Sequence, residues 1–440
     1  MTHDVDAAEG RLPAEPAGTA ATQAWWRDDD WLAVAVAAVL LAAAVAGWKP
    51  PLPALGWTTG ADLGGLASSR NLEAAGILSL AVIVPAVVAA AIAGRGRLVP
   101  MSAGTAVIVL LAWLATILAA NARVKAYGIE YVVFALGLGL LWRQVLPVPA
   151  WLAEAVRTEF LIKVGIVILG AGILFPDLMK AGVPGLVQAA LVIPLVWQAT
   201  FLLGRRLGVD DEFNVMVSSA VSICGVSAAI AACGAIQGDR RKLSYVTSVV
   251  LLCAVPMMLV MPWCARGMGL APAVAGAWLG GTLDTTGSVL AATEMLGDAA
   301  SKTGAVVKLS QNVFIGLAAL VISVWWTMRP GAAAAPAVGS PWAVVWRRFP
   351  KFVLGFVAAS LLFSFALPHD AAKALDKPLK GLREAWFAAA FVCIGLETRF
   401  DQLLALGGGR PALAFLGGQA VNVAWTLLLA WLLFGGGLTG

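Results

Sequence analysis

The sequence predicts an all-α polytopic membrane protein, and three observations carry that reading. Hydrophobic residues make up 60% of the 440 positions and charged residues 12%, with a mean hydropathy of +0.86, which is more apolar surface than one soluble core could hide. Apolar runs long enough to cross about 30 Å of hydrocarbon recur over 31–434. The loops between them are short, leaving no room for a soluble domain of useful size. About eleven to thirteen membrane segments fit this pattern.

The first stretch, 1–30, is a polar N-terminal tail rich in Ala, Glu, Asp and Pro with no apolar core, and it does not resemble a cleavable signal peptide. Trp25 and Trp26, followed by Arg27 and Asp28 to Asp30, suit an interfacial anchor ahead of the transmembrane domain at 31–436. Spans follow at 31–47, 77–93, 103–120 and 131–142, each bounded by polar residues. The next, 160–175, carries Lys163 near its start, where snorkelling to the interface is the expected behaviour. Further apolar runs lie at 182–203, 214–236, 243–264, 275–295 and 303–326. A Pro, Gly and Ala-rich linker is expected at 327–348 and an interfacial amphipathic stretch at 371–385. Spans at 349–366, 387–396 and 411–434 complete the chain.

The charge balance excludes little by itself. A net charge of +5 is spread singly or in pairs among the loops, which suits membrane topology and lipid headgroups better than nucleic acid. The five cysteines lie in or beside apolar runs without metal-ligand spacing, and the two histidines, His3 and His369, lie outside them. No metal or other cofactor is implied. Intramembrane protease or hydrolase motifs are absent, so no catalytic residue is assigned and the chain is not read as an enzyme.

Two stretches stand out because polar residues and glycine interrupt otherwise apolar runs: Ser222-Ile223-Cys224-Gly225-Val226-Ser227 and Gly281-Thr282-Leu283-Asp284-Thr285-Thr286-Gly287-Ser288. Backbone released from a helix inside hydrocarbon needs partners within the protein, so such breaks occur where they line a cavity. Ser222, Gly225 and Ser227 are candidate anion ligands at a new helix N-terminus, with Thr285, Thr286, Gly287 and Ser288 opposite. Lys308, Gln311 and Asn312 share one face of the following helix and add an ammonium and two amides. Asp284 is the candidate coupling site for a proton or Na+, its plainer alternative being a structural salt bridge to Lys308. Glu397 is expected to form a terminal ion pair near Arg399 and Asp401. The two broken stretches share an order of features that suggests a diverged internal repeat. A second self-similarity relates Ile168-Leu169-Gly170 to Cys393-Ile394-Gly395.

At these residues the chain resembles a family of bacterial membrane proteins labelled sulfate exporters. The resemblance rests on Ser222 to Ala228, the Leu/Gly span upstream, Lys308-Leu309-Ser310-Gln311 and Ile394-Gly395-Leu396. More remotely it is similar to the bile-acid/sodium symporter and sodium/proton antiporter type of fold. That resemblance implies an inverted-repeat core with two discontinuous helices crossing near the midplane. Where the family commonly shows His-Glu and then Gln, this chain has Asp284-Thr285 and Ser288; where an arginine often follows the lysine, it has Gln311. The expected function is secondary active transport, in the bacterial inner membrane, of a small anion such as sulfate or a related oxyanion or sulfonate, coupled to H+ or Na+. The alternative is a cation/proton exchanger using Asp284 without an anion substrate. The bilayer is the expected partner, nucleic acid is not, and a homo-oligomer is left open.

Overall fold

The computed structural model describes residues 27–94, 97–126, 129–329, 345–346, 349–398 and 409–436. Most of the tail at 1–30, most of the linker at 327–348, and Arg399 and Asp401 lie outside the described residues.

The described chain is almost wholly helical, as hydrocarbon demands of backbone that cannot bond to water. Helix α1 (Asp29–Val45) begins at Asp28, whose carboxylate accepts the Asp30 amide, with Asp29 and Asp30 in the first turn where negative charge opposes the helix dipole. Helices α2 (Ser69–Ile92), α3 (Leu98–Ala119), α4 (Tyr131–Val145) and α5 (Thr158–Ala171) follow. Helix α6 (Phe175–Arg206) runs through Pro184 and Pro194 as one element, so Asp177 and Lys180 pair within its first turn instead of separating two spans.

The next segments fold back on themselves. Helix α7 (Asp211–Ser219) widens into a π-turn over Ala220–Cys224, and α8 (Val226–Ile236) returns beside it. Gly238, just beyond α8, sits against Glu212 and Met216 of α7, and the Asp239 amide donates to the Glu212 carboxylate. Helix α9 (Arg240–Gly267) starts there, with Lys242 at 2.7 Å from both Asp210 and Glu212. The pair α7–α8 is therefore a re-entrant hairpin with its tip at Gly225.

Helices α10 (Pro272–Thr282) and α11 (Thr286–Glu294) form a second hairpin: Gly276 near its start and Thr293 near its end both press on Gly304 of α12 (Asp298–Thr327). Its tip is Leu283 to Thr285. Helix α12 has 30 residues, about 45 Å at 1.5 Å per residue. Its first turns bond to the base of the second hairpin, through Ser301 and Glu294, and Arg329 just past its end pairs with Asp211 at the base of the first. The hairpins thus enter from opposite membrane faces. The breaks occur in the two stretches the sequence singled out, but each segment turns back to its own face, where discontinuous helices crossing at the midplane were expected.

The chain continues through α13 (Phe352–Leu361) with its π-turn (Leu362–Ala366), α14 (His369–Glu397) and α15 (Arg410–Phe434). The 371–385 stretch is the first half of α14, continuous with 387–396, and its stripe of Leu375, Leu379 and Leu382 is buried. Among the described residues six helices are long and apolar enough to cross a membrane: Ser69–Ile92, Leu98–Ala119, Phe175–Arg206, Arg241–Gly267, Asp298–Thr327 and Arg410–Phe434.

Packing sorts the helices into two groups. Helices α6, α9, α12 and α15 pack around both hairpins; α14 and α5 gather α1, α3, α4 and α13, with α2 against α3. The groups meet where α11 touches α5 and α14, and where α6 touches α13.

Candidate functional site

The two tips meet. A Cβ added to Gly225 would lie 3.2 Å from the Cβ and carbonyl of Asp284 and 2.7 Å from Val250 of α9. Gly225 has φ +57° and ψ −112°, a conformation closed to ordinary side chains, so glycine is what lets the first tip turn against the second. The second tip is set differently. Leu283 and Thr285 are extended, and Thr285 caps α11 by accepting the Ser288 amide at 3.1 Å while its hydroxyl bonds Ser288 Oγ at 2.6 Å.

Ending α7 and α10 at the tips leaves their last carbonyls without helical partners. Four side chains supply donors. Lys308 Nζ donates to the Ile223 carbonyl at 2.6 Å, the Leu283 carbonyl at 2.8 Å and Gln311 Oε1 at 2.9 Å. Gln311 Nε2 donates to the Ser222 and Gly281 carbonyls at 2.9 and 3.2 Å. From α15, Asn422 Nδ2 bonds the Val221 and Thr282 carbonyls, each at 3.1 Å, and Gln419 Nε2 bonds Thr282 at 3.0 Å. Two helix C-termini, each with partial negative charge, therefore converge on one ammonium, which is fully buried.

Several sequence expectations change here. Lys308 and Gln311 do not face a cavity; their polar atoms are committed to the tip backbone. Lys308 neither snorkels nor pairs with Asp284, whose two carboxylate oxygens accept no hydrogen bond although the residue is only 1% exposed. Ser222 is fully buried and its hydroxyl donates to the Ser218 carbonyl of its own helix. Gly287 is not at the break and does not face Gly225. It lies inside α11, where Ile162 of α5 and Ile394 of α14 occupy the space of a Cβ. Ser288 is buried and held by Thr285.

The helix N-termini on the other side of each tip border a cavity, that of α11 with its Thr285 cap in place. A cavity of about 490 Å³ is lined on the hairpin side by Cys224, Val226, Ser227, Thr285, Thr286 and Asn312. Gly225 offers α8 no capping side chain, so the first amides of the helix depend on groups outside it, the Cys224 sulfur beside the Ala228 amide among them. Asn312 donates to Thr286 Oγ1 at 3.3 Å and leaves its own buried carbonyl oxygen without a partner. The opposite wall carries charges of both signs: Arg27, Asp28 to Asp30, Glu159, Lys163 and Lys351. Lys163, expected to snorkel, is instead held by Asp30 at 2.9 Å, and the Asp30 carboxylate also accepts the Lys351 amide at 2.7 Å. Of the candidate residues, Ser227, Thr285, Thr286 and Asn312 line this space, and Gly225 and Asp284 lie beside it. Sequence reasoning missed Gln419 and Asn422, although two amides three positions apart in an apolar run are a readable signal. It also missed the wall formed by the start of α1.

One consequence is directly measurable. Because the Ser222 hydroxyl bonds its own helix and does not reach the cavity, Ser222→Cys is expected to resist a water-soluble maleimide that modifies Ser227→Cys at the cavity wall. Equal labelling of the two variants would contradict this placement.

No group of three or more His, Cys, Asp or Glu among the described residues is arranged to hold a metal ion. What the fold and its centre define is a multi-pass membrane protein organised around two opposed, interrupted hairpins. The chain belongs to the family described as conserved hypothetical protein 698, matched over residues 103–414. It is 40% identical over 401 residues to the UPF0324 membrane protein RB9488 of Rhodopirellula baltica, covering 88% of this chain and 72% of that one. It is 36% identical over 336 residues to a UPF0324 membrane protein of Nitratidesulfovibrio vulgaris, covering 74% of this chain and 58% of the relative. A UPF0324 membrane protein of Nitrosomonas europaea, NE0724, is 27% identical over 451 residues, with 87% and 90% covered. No solved structure matches.

Proposed function

We propose that the chain is a secondary active transporter of the bacterial inner membrane that carries a small anion, sulfate or a related oxyanion or sulfonate, coupled to a proton or sodium gradient at Asp284. The observation that carries this reading is the cavity ending at two helix N-termini, those of α8 and α11, with Ser227, Thr285, Thr286 and Asn312 around it. Amides at helix N-termini favour negative charge. Entry of the hairpins from opposite faces also suits the inverted repeat found in many carriers. Lys308 serves this site indirectly, by fixing both tips. Asp284, buried beside the tips without a donor, suits a group that takes up and releases a proton or cation during the cycle.

The unpartnered carboxyl of Asp284 also favours the second reading, a cation/proton exchanger with no anion substrate. Proteoliposomes containing purified protein separate the two. Uptake of labelled sulfate or a sulfonate, driven by an imposed H+ or Na+ gradient, is the expected result. A pH change that needs only Na+ or K+ and no anion would replace the first reading by the second.

A further inference from the structure

The cavity lies toward the face where α1 begins, and the way from the tips to the opposite face is closed in two layers. The first is apolar. Gly287 of α11 meets Ile162 of α5 and Ile394 of α14 with no room for a methyl group between them. The second is ionic and lies a few turns further along, where the base of the second hairpin meets α14. Arg383 of α14 is 3% exposed, and its Nη2 lies 3.4 Å from Glu294 Oε1 of α11 and 3.2 Å from Asp298 Oδ1 of α12. Glu294 Oε1 also accepts the Ser301 hydroxyl at 2.9 Å, and Lys302 sits 3.0 Å from Asp298. Glu384, next to Arg383 on α14, and Glu130 also act on this cluster.

This cluster joins the group that holds the hairpins to the group built on α14. A guanidinium so deeply buried is strongly held while its carboxylates are near and costly once they leave, unless water replaces them. Parting the cluster therefore requires water or another partner to take the place of the carboxylates. Interfaces of this kind repack between discrete states instead of deforming gradually.

We propose that Arg383, Glu294 and Asp298 form a latch that keeps the central cavity shut from the second face, and that the latch parts when the hairpin-bearing group moves to expose the cavity there. The role in transport rests on the carrier reading above; the closing of one face does not. Weakening the latch shifts the population toward the conformation open to the second face.

The test reads access, not flux. Thr286, which lines the cavity, is replaced by cysteine in a background whose native cysteines are serine, and the protein is reconstituted so that a membrane-impermeant maleimide can be applied from either face. With the latch intact, labelling comes from the α1-start face. Arg383→Gln is expected to raise labelling from the other face about tenfold and to lower it from the first. Glu294→Gln is the milder variant, read the same way if Arg383→Gln does not fold. One-sided labelling in folded Arg383→Gln or Glu294→Gln protein would overturn the latch. Absence of anion flux in the wild type, with labelling that does switch, would overturn the anion-carrier reading and leave the latch standing.

Discussion

Replacing Lys308 by methionine is expected to destabilise the protein more than any other single change at its centre. Methionine approximates the volume of the side chain but removes all three donors, leaving the Ile223 and Leu283 carbonyls and Gln311 Oε1 without the ammonium that joins them. Each stranded buried acceptor costs about 1–3 kcal/mol, and removing one member of a buried charged network typically costs about 3–5 kcal/mol. The loss is compounded because the acceptors are the ends of two helices whose dipoles both point negative charge at this spot. The expected result is a melting midpoint in detergent lower by roughly 5–10 °C, or protein that cannot be purified folded. Lys308→Met protein that melts with the wild type would show that the ammonium does not hold the tips, and that Lys308 is free for a ligand after all.

Asp284→Asn is expected to do the reverse: little or no harm to folding and severe harm to function. Neither carboxylate oxygen accepts a hydrogen bond, so the amide breaks no existing contact, and a buried group that no longer ionises relieves a cost of several kcal/mol when charged. The midpoint should therefore hold or rise. On the proposed carrier reading, gradient-driven uptake should fall by about 100-fold or more, while substrate exchange at equal concentrations, which needs no net movement of the coupling ion, survives in part. The measurement is the ratio of driven uptake to exchange in proteoliposomes. Driven uptake at the wild-type level would remove Asp284 from the coupling step and leave it a structural residue.

The positions of the two interruptions were legible in the sequence because polar residues with glycine in an apolar run are expensive unless something needs them. Their three-dimensional sense was not. Whether a broken segment continues across the bilayer or turns back depends on contacts such as Gly238 against Glu212 and Thr293 against Gly304, between residues far enough apart that local pattern carries no trace of them. The same limit explains the misplaced roles. Lys308, Gln311 and Asn312 do share a helix face, yet the first two turn to the tip carbonyls and only Asn312 reaches the cavity. Gly287 belongs to the stretch that interrupts the second apolar run, but the local cap from Thr285 to Ser288 restarts the helix before it. The pairing of Lys163 with Asp30 joins residues in α1 and α5, and nothing in either stretch alone announces it.

Lys308, Gln311 and Asn422 each clasp one carbonyl from either hairpin, so the tips are yoked. Neither can swing aside as an independent door without surrendering bonds that its counterpart also relies on. A conformational change that preserved these bonds would carry both tips together as one block, past the seam with α5, α13 and α14.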